Sequence, residues 1–331
     1  YFKTLGDSAD ITVTPYLSTS YTSTLMLRYR QAFENGVTEW NGAITRDDIR
    51  DGDTRGYLFG AAEWELPRGY RLGLQVQVTS DDGYLLDYDI TDADRLWSGL
   101  TLDRVTSDKL VWARVGNYHT MRDDEDNSTS PAQVAEMMWI RRWRLGGGEA
   151  GLEWSAHAHR RPSGDDQIGR DMARASVAFD WRRTEILPGG ILGTAATGLS
   201  TDIYTIRDDS RYDDNVTRTT PWLSAELRYP LTGSDGRASY VLEPVAQLVW
   251  SPKRDRDDDA IPNEDSRQVE FDEGNLFALS RYPGWDARET GTRANLGVTW
   301  SRFDPAGWQL SLAAGRIWRD DDDSVPDTPL L

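Results

Sequence analysis

Apolar and polar residues alternate along most of this chain of 331 residues. In residues 70–79 every second side chain is apolar, and the residues between them are polar or glycine. The same period of two recurs in residues 152–159, 294–301 and 308–314. Because successive side chains of a β-strand point to opposite faces of the sheet, each run predicts a strand with one apolar and one polar face.

About fifteen segments of this kind, each of about 9–15 residues, can be distinguished. They exceed the roughly 5–6 residues of a typical strand in a globular protein and fit tilted strands that cross a membrane. The sequence contains no run of about 18 apolar residues and no convincing amphipathic helix. The pattern therefore predicts an all-β fold, a transmembrane antiparallel β-barrel.

The connections between these segments alternate between tight and long. The tight ones contain glycine, as hairpin turns with positive φ require; they are residues 34–36, 67–69, 146–148 and 188–190. The long ones are polar; they are residues 122–127, the stretch around 163–166 and residues 253–285. Short turns at one end and long loops at the other are typical of outer-membrane barrels.

The alternation alone leaves the direction of the apolar face open. It points inward in a soluble β-sandwich and toward lipid in a membrane barrel. Lipid is favoured because the opposite face carries many Arg, Glu and Gln residues, which suit a wet interior. Aromatic residues also occur near the ends of segments; they are Tyr29, Trp64, Trp181, Trp250 and Trp300.

Composition narrows the possible partners. The chain has 37 Lys and Arg against 55 Asp and Glu, a formal charge of −18 that repels nucleic-acid phosphates, so no nucleic acid is expected to bind. No cysteine is present, which excludes disulfides and thiolate metal sites within these residues. Trp and Tyr number 14 each against 7 Phe, a bias that suits a membrane boundary and that a carbohydrate-binding β-protein would share.

Histidine chemistry has few possible arrangements, because the only histidines are His119, His157 and His159. An outer-membrane hydrolase would need a histidine beside a nucleophile, and Ser155 shares the polar face with His157 and His159. Residues i and i+2 of a strand project in parallel without meeting as nucleophile and base. We therefore expect no catalytic residue and no enzyme, and alanine variants of these histidines would test the hydrolase alternative.

Two acidic runs, residues 257–259 and 320–323, could attract divalent cations, since carboxylates are hard oxygen ligands. Neither run has the glycine and terminal glutamate of an EF-hand loop. We interpret both as solvated loops and expect no specific metal site and no cofactor.

Pro15 and Pro244 interrupt otherwise regular segments. Proline removes a hydrogen-bond donor from a strand, so it belongs at a sheet edge, at a bulge or at a weakened pairing. Most barrels avoid such a position, because an unpaired backbone group is costly in hydrocarbon. One of the two prolines is therefore a candidate for a seam.

The most specific passage of the sequence runs from residue 261 to residue 297. It reads Ile-Pro-Asn-Glu-Asp-Ser at 261–266, then Phe271, Asn-Leu-Phe at 275–277, Arg-Tyr-Pro-Gly-Trp-Asp at 281–286 and Arg-Ala-Asn-Leu-Gly at 293–297. This order resembles the Asn-x-Asp-Ser, Leu-Phe and Arg-Phe-x-Gly-x-Asp-Arg loop of the LptD (OstA, Imp) family of outer-membrane lipopolysaccharide-assembly proteins, in an alphaproteobacterial form. The matching residues are Asn263, Asp265, Ser266, Phe277, Arg281, Gly284 and Asp286; Tyr282 replaces the usual phenylalanine, and the final arginine falls at Arg288.

Earlier passages extend the resemblance over nearly the whole chain. Residues 10–16 resemble the second barrel strand of the family, and residues 28–30 resemble the strand that returns from it. Residues 78–88 resemble its Ser-Asp-x-x-Tyr-x-x-Asp-Tyr segment, and residues 242–247 resemble its Glu-Pro strand.

The resemblance implies that residues 1–331 are part of one C-terminal barrel domain with about 26 strands in the complete protein. A periplasmic β-jellyroll and the last barrel strands are expected outside this sequence. The family carries a proline in each of its first two strands, which weakens their pairing at the seam with the last strand. Pro15 matches the second of these prolines and is the lateral-gate candidate.

The resemblance further implies a translocon component of the Gram-negative outer membrane, which inserts lipopolysaccharide into the outer leaflet through a laterally opening seam. The expected partners are lipopolysaccharide, outer-membrane lipid, an LptE-like lipoprotein plug in the interior and a periplasmic LptA-like bridge that docks on the jellyroll. Gln75, Gln77 and Glu153 on the polar face are candidate plug contacts. The alternative is a porin or a substrate-specific channel or receptor, which would share the strands and lack the loop motif.

Overall fold

The structure is a computed structural model that describes residues 1–18, 22–49, 53–253, 260–266 and 274–320. These residues form seventeen strands in one antiparallel sheet. The strands are β1 (Phe2–Thr4), β2 (Ala9–Leu17), β3 (Ser23–Phe33), β4 (Gly36–Arg46), β5 (Thr54–Leu66), β6 (Tyr70–Thr79), β7 (Arg95–Val105), β8 (Lys109–Thr120), β9 (Gln133–Leu145), β10 (Gly148–Arg160), β11 (Asp171–Ile186), β12 (Leu192–Arg207), β13 (Asn215–Arg228), β14 (Leu231–Ser234), β15 (Ser239–Ser251), β16 (Gly291–Phe303) and β17 (Gln309–Arg319).

The lengths of the strands agree with the period-two pattern. Fifteen of them are 9–16 residues long, which confirms the prediction of about fifteen long segments. The sequence did not indicate β1 and β14, whose 3 and 4 residues are too few for an alternation to be recognised. Within the described ranges, helical structure is confined to α1 (Tyr84–Asp87) and a 3₁₀ turn (Pro67–Gly69), and no helix is long and apolar enough to cross a membrane.

Two compact units can be distinguished. Unit 1 comprises residues 1–140, 154–175 and 205–211, and within it each strand from β1 to β7 pairs antiparallel with the next strand in sequence. Unit 2 comprises residues 141–153, 176–204 and the described part of 212–331. Here β15 pairs with β13, β14 and β16, and β16 pairs with β17.

Tight turns and longer connections alternate along the chain, as predicted. Tight turns join β3 to β4, β5 to β6, β9 to β10 and β16 to β17, whereas longer connections follow β6, β8, β10 and β15. In the turn between β9 and β10, Gly146 and Gly147 have φ angles of 58° and 77°, a region that glycine adopts without steric cost. The tight turns therefore use glycine for the reason that the sequence indicated.

The sheet is polar where it is covered and apolar where it is exposed. On β15, Leu248 is 52% exposed, whereas the adjacent Gln247 is 7% exposed. We call the exposed side the apolar face; its members include Leu25, Leu27, Leu58, Val78, Leu100 and Val115 in unit 1 and Leu223, Leu227, Leu248, Leu296 and Leu312 in unit 2. The opposite side is the polar face. A water-soluble sheet covers its apolar face with protein, so this arrangement supports the prediction that the apolar face meets lipid.

The predicted aromatic boundary is only partly visible in the strand positions. Trp64, Trp250 and Trp300 lie within three residues of the ends of β5, β15 and β16. Tyr29 and Trp181 lie four and five residues from the ends of β3 and β11, so these two are further inside their strands than the sequence suggested.

Pro244 lies in the interior of the sheet. It pairs with Val298 of β16, and its carbonyl accepts a hydrogen bond from the amide of Tyr229 at 3.0 Å. The amide and carbonyl of one residue in an antiparallel strand point to the same neighbour. The missing donor of Pro244 therefore faces the interruption between β13 and β14. The register of β15 is the same with β13 and with β14, so no extra residue is inserted at Pro244, and strands lie on both sides of it. This interior position removes it as a seam candidate.

Candidate functional site

Pro15 lies on the edge of β2 that is remote from β3. The amide of Val13 donates to the carbonyl of Tyr1 at 2.8 Å, so the amides of odd-numbered residues of β2 point away from β3. The missing donor of Pro15 belongs to this edge, and the pairing of β2 with β3 continues through Pro15, which stands opposite Leu25. β1 pairs only with residues 10–12 of β2. Pro15 therefore lowers the hydrogen-bonding capacity of one edge without disturbing the other.

The connection between β15 and β16 folds back on itself through two aspartates. Asp265 accepts hydrogen bonds from the backbone amides of Trp285 and Asp286 at 2.8 and 2.9 Å. Asp286 in turn accepts the amides of Glu264 and Asp265 at 3.0 and 3.3 Å. Each carboxylate thus fixes the backbone beside the other. We call the described part of this connection, residues 260–266 and 274–290, the clamp loop.

Three further residues of the predicted motif complete the clamp. The side chain of Asn263 accepts the amide of Ser266 at 2.8 Å, and the hydroxyl of Ser266 donates to Asp265 at 2.8 Å. The amide of Gly284 donates to the Ser266 hydroxyl at 3.1 Å. A Cβ atom at Gly284 would lie 2.1 Å from a carboxylate oxygen of Asp265, so only glycine leaves room for this contact.

An arginine of the polar face anchors the clamp. Arg218 on β13 is almost fully buried and donates to Asp202 of β12 at 2.9 and 3.0 Å. Its guanidinium also donates to the carbonyls of Trp285 and Asp286, and the hydroxyl of Tyr204 donates to the Trp285 carbonyl at 3.2 Å. Side chains of β12 and β13 therefore hold the backbone that the two aspartates have shaped.

A second anchor is a buried ionic cluster at the start of β16. Glu289 forms ion pairs with Arg281, Arg293 and Arg319, and all four side chains are less than 5% exposed. Glu289 also accepts the backbone amide of Arg281 at 2.8 Å, and Arg293 donates to the carbonyl of Leu279. Arg281, the motif arginine, therefore ties the loop to β16 and β17.

The remaining motif residue, Phe277, lies against the polar face. Its carbonyl accepts a hydrogen bond from Gln247 of β15 at 3.1 Å. The preceding Leu276 is buried against Gly297 and Gly315, where a Cβ would come within 2.7 and 2.3 Å of the leucine side chain. The clamp loop therefore covers the polar face of β15, β16 and β17, and two strand glycines make room for it.

Replacing Asp265 with alanine should release the clamp while leaving the strands paired. The change removes an acceptor of two amides and one hydroxyl, and we expect a loss of about 2 kcal/mol of local stability. Hydrogen exchange at the Trp285 and Asp286 amides of the full-length protein should then accelerate by roughly thirtyfold.

Asp235 provides the matched control for this substitution. It accepts the amides of Arg237 and Ala238, each at 2.8 Å, and the Tyr240 hydroxyl at 2.7 Å, in a turn outside the clamp loop. These bonds hold the pKa of Asp235 at about 2. Asp235→Ala should accelerate exchange in its own turn only, and equal acceleration at Trp285 in both variants would contradict the clamp.

Unit 1 contains a buried ionic cluster that the sequence did not indicate. Arg55 of β5 donates to Asp47, Asp81 and Asp87 at 3.2, 2.8 and 2.7 Å, and its side chain is 2% exposed. Asp47 also accepts the hydroxyl of Tyr88. Burial, and then this bond to a carboxylate, raise the pKa of Tyr88 well above its usual value. The cluster ties the connection after β6, including α1, to β5.

A second carboxylate joins the connections that follow β10 and β12. Asp209 is buried and forms ion pairs with Arg170 and Arg211, both at 2.7 Å. Hydrogen bonds from Arg211 and then from Arg170 hold the pKa of Asp209 well below its usual range, although burial acts in the opposite direction. Ser210 donates to Asp166 at 2.6 Å and adds a second tie between the same connections.

The histidines of β10 belong to a row of charged side chains on the polar face. His157 Nδ1 lies 3.1 Å from Glu136, which also pairs with Arg114 of β8. His157 Nε2 lies 3.3 Å from His159 Nδ1, and Arg161 donates to the other ring nitrogen of His159 at 3.0 Å. The two imidazoles therefore do meet across the i, i+2 spacing. Their charged partners are Glu136 of the neighbouring β9 and Arg161 directly after β10, an arrangement that fits a structural network.

Within the ranges that the structure describes, no three His, Asp or Glu side chains are grouped so as to hold a metal ion. Asp320 of the second acidic run accepts the amide of Thr292 at 2.7 Å and lies 3.6 Å from Lys253. The other aspartates of both predicted runs, residues 257–259 and 321–323, lie outside the described residues, as does Phe271 of the motif passage.

Comparison with known proteins gives a family for this architecture. The model of the family LptD, described as LPS transport system D, matches residues 53–329. The chain belongs to the LptD family.

Relatives of the chain carry the same family name. The LPS-assembly protein LptD of Alkalilimnicola ehrlichii is 26% identical over 340 aligned positions, which cover 93% of this chain and 42% of that protein. The LPS-assembly protein LptD of Xanthomonas euvesicatoria pv. vesicatoria is 40% identical over 78 residues, 23% of this chain and 9% of that protein. The chain thus spans less than half the length of the curated relatives it matches.

Among solved structures, the chain is similar to in-vitro folded OmpT, an outer membrane protein of Vibrio cholerae. It covers 75% of this chain and 88% of its own, at 6% sequence identity and a TM-score of 0.30.

Membership of the LptD family confirms the fold class and location predicted from the sequence. The chain is all-β, and it is an outer-membrane β-barrel protein of Gram-negative bacteria. The LptD name refers to lipopolysaccharide transport and assembly, so the family match does not favour the alternative of a porin or receptor. It names no catalytic activity.

The loop that carried the resemblance to LptD is also a loop whose motif side chains converge in the structure. Asn263, Asp265, Ser266, Gly284 and Asp286 form the clamp itself. Arg281 and Phe277 connect it to the strands, and Pro15 is remote from it in sequence and lies in unit 1. Sequence reasoning missed the strand residues Asp202, Arg218 and Glu289, because an isolated charged residue on a polar face carries no signal of its partner.

Proposed function

We propose that this chain is a large part of a barrel that delivers lipopolysaccharide to the outer leaflet of the outer membrane. The observation that carries the proposal is the distribution of side chains on the sheet of this LptD family member. Leucines are exposed on one face, and charged residues are covered on the other. We place residues 1–331 in one barrel domain, of which the two compact units are parts.

The chemistry of lipopolysaccharide explains why such a sheet suits its transport. The sugar and phosphate head cannot cross hydrocarbon without losing its hydration, and the acyl tails are unfavourable in a wet interior. A barrel that opens laterally separates the two parts. The head passes along the polar face, while the tails slide through the seam into the leaflet. No covalent bond changes in this process, so we assign no catalytic residue.

The lateral gate is assigned to the edge of β2 that contains Pro15. Pro15→Ala restores a backbone N–H on the edge of β2 that points away from β3, and a carbonyl of a neighbouring strand can accept its hydrogen bond. One added hydrogen bond of about 1 kcal/mol should slow delivery of lipopolysaccharide to the cell surface by roughly fivefold. Pulse labelling of lipopolysaccharide, followed by its recovery at the surface, measures this rate.

Pro244→Ala is the matched control for the gate. Pro244 lies in the interior of the sheet, between β16 and the interruption that separates β13 from β14, so its replacement should leave the rate of delivery unchanged. A Pro15→Ala variant that exports at the normal rate would remove Pro15 from the gate.

The protein partners follow from the same proposal. We assign an LptE-like lipoprotein to the interior, where it would meet the polar face, and an LptA-like protein to the periplasmic delivery of lipopolysaccharide. Gln75, Gln77 and Glu153 remain the candidate contacts of the lipoprotein. The side chain of Gln77 already accepts the amide of Trp97 at 3.0 Å, so its amide nitrogen is the group offered to a partner. Crosslinking from these positions in the full-length protein tests the assignment.

Depletion of the full-length protein in its host tests the function itself. Newly made lipopolysaccharide should stall before the surface while other barrels still assemble, and complementation by a His157→Ala, His159→Ala double variant should restore delivery. Normal surface lipopolysaccharide in depleted cells would overturn the transport proposal in favour of a channel or receptor. Failure of the double variant, with normal folding, would point to a hydrolase.

A further inference from the structure

Two basic residues lie on the apolar face at the tight-turn end of β7 and β8. Arg104 is one residue from the end of β7, and Lys109 begins β8. Arg104 stands opposite Val111, which is two residues after Lys109. Side chains that stand opposite each other share a face, and so do residues i and i+2 of one strand. Arg104 and Lys109 therefore project on the same side as Val115, which is 53% exposed.

An aromatic ring of the neighbouring strand holds the arginine at this end. Tyr70 begins β6, and it shares the apolar face because Leu72 stands opposite Leu102. The guanidinium of Arg104 lies over the Tyr70 ring, 5.2 Å from its centre. An arginine over an aromatic face is attracted by the negative charge of the ring. Tyrosine is also a residue of the membrane boundary, so the contact places the guanidinium at headgroup level.

The two positive charges are not compensated by the protein. Among the residues that the structure describes, neither Arg104 nor Lys109 forms an ion pair, and the Nε atom of Arg104 has no hydrogen-bond partner. Asp108, in the turn between the two strands, accepts the hydroxyl of Thr106 at 3.0 Å instead. Both cations are therefore available to an anion from outside the chain.

Arg71 shows how an arginine at the same end is accommodated on the polar face. It follows Tyr70 in sequence, projects to the opposite side and pairs with Asp103 at 2.8 Å. The chain carries 55 acidic residues against 37 basic ones, so a pair of cations without a carboxylate is unusual for its composition. A negative lipid headgroup supplies the charge that Arg104 and Lys109 lack on the lipid side.

The tight turns determine which leaflet supplies the headgroup. Short turns of outer-membrane barrels lie on the periplasmic side, and the periplasmic leaflet consists of phospholipid. From this boundary the apolar face continues toward the middle of the bilayer through Leu72 opposite Leu102 and Leu74 opposite Leu100. Cations at the boundary and leucines beyond them match the headgroup and the acyl chains of one phospholipid of that leaflet.

We infer that Arg104 and Lys109, with Tyr70 beneath the guanidinium, bind an anionic phospholipid of the periplasmic leaflet. Its phosphodiester lies between the two cations, and its acyl chains follow the leucines of β6 and β7. Arginine pairs with phosphate through parallel N–H groups, and lysine adds a compact charge. A zwitterionic headgroup would bring its ammonium close to the same cations, so a lipid with a net negative charge is favoured.

Native mass spectrometry of the full-length protein in mild detergent, with added phosphatidylglycerol, tests the inference. Arg104→Leu and Lys109→Leu should each weaken binding by about fivefold and the double variant by roughly twenty-five-fold, since one basic side chain near anionic lipid contributes about 1 kcal/mol. Arg104→Lys should retain most of the affinity. Arg71→Leu removes a cation from the same end of the other face and should leave the affinity unchanged.

The outcomes separate this site from non-specific lipid binding and from the transport proposal. Unchanged binding in the double variant, or an equal loss in Arg71→Leu, would overturn the site. Phosphatidylethanolamine that binds as well as phosphatidylglycerol would overturn the selection of an anionic headgroup, and lipid A that competes equally would overturn the assignment to a phospholipid. Binding is measured on purified protein, so a failure of the depletion experiment would reject the transport function without changing the result for Arg104.

Discussion

Replacement of Arg55 with leucine is expected to destabilise the full-length protein by about 3–5 kcal/mol, the typical cost of removing one partner from a buried ionic group. The change leaves the carboxylates of Asp47, Asp81 and Asp87 without their shared counter-ion. Asp47 is fully buried and cannot recover its charge compensation from water. Equilibrium unfolding in urea, with the protein in lipid vesicles, measures the free energy.

Arg71→Leu is the control for this loss. Arg71 pairs with Asp103 at 2.8 Å, but its side chain is 57% exposed, and ion pairs in water contribute little to stability. We expect no measurable change in the unfolding midpoint. An Arg55→Leu variant as stable as Arg71→Leu would show that the cluster is not a structural tie.

Arginine in place of Val298 should destabilise the protein by about 2–4 kcal/mol, the cost of a cationic side chain on the lipid side near the bilayer midplane. Val298 is 39% exposed, lies seven residues from the start of β16 and five from its end, and stands opposite Pro244 of β15 and Ala314 of β17. The same unfolding experiment in vesicles gives the free energy, and it tests directly that this face meets lipid.

Leu145→Arg provides a comparison at similar exposure. Leu145 is 47% exposed and is the last residue of β9, beside the tight turn at Gly146 and Gly147, where a charge can reach water. The expected cost there is about 0–1 kcal/mol, as for boundary positions. Equal costs at Val298 and Leu145 would contradict a lipid-facing surface with a depth-dependent penalty.

The sequence predicted the strands and the composition of their faces well, because both follow from the same local rule. Leu248 and Gln247 are neighbours in sequence and lie on opposite faces by the geometry of an extended chain alone. Which face meets lipid did not follow from that rule. It became visible only when the charged residues were seen to be covered and the leucines exposed.

The candidate site was predictable to a smaller extent. The resemblance selected Asp265, Asp286 and Gly284. These residue types are needed because two parts of the clamp loop that are about 20 residues apart in sequence come into contact, and no local sequence pattern indicates that contact. Arg218 supports that return from 67 residues away in sequence. Such pairs depend on the strand register, and a sequence without aligned relatives gives no measure of it.

The Arg55 cluster shows the same limit in unit 1. The segment of residues 78–88 was recognised by its resemblance, yet its aspartates gave no indication of a partner on β5. Their role follows from the fold, because α1 brings Asp87 back over the end of β5 and within 2.7 Å of Arg55. Buried charge is rare enough that sequence reasoning assigns such aspartates to solvent by default.

The strands β1 to β8 each pair with their neighbours in sequence, which has a consequence for how the sheet is formed. Closing a short turn costs little chain entropy, so folding can add one hairpin at a time without bringing distant segments together. The longest connection, between β15 and β16, must be closed across residues 252–290 before those strands can pair. The slowest step of assembly is therefore expected at this hairpin, with the clamp loop settling last on strands that already exist.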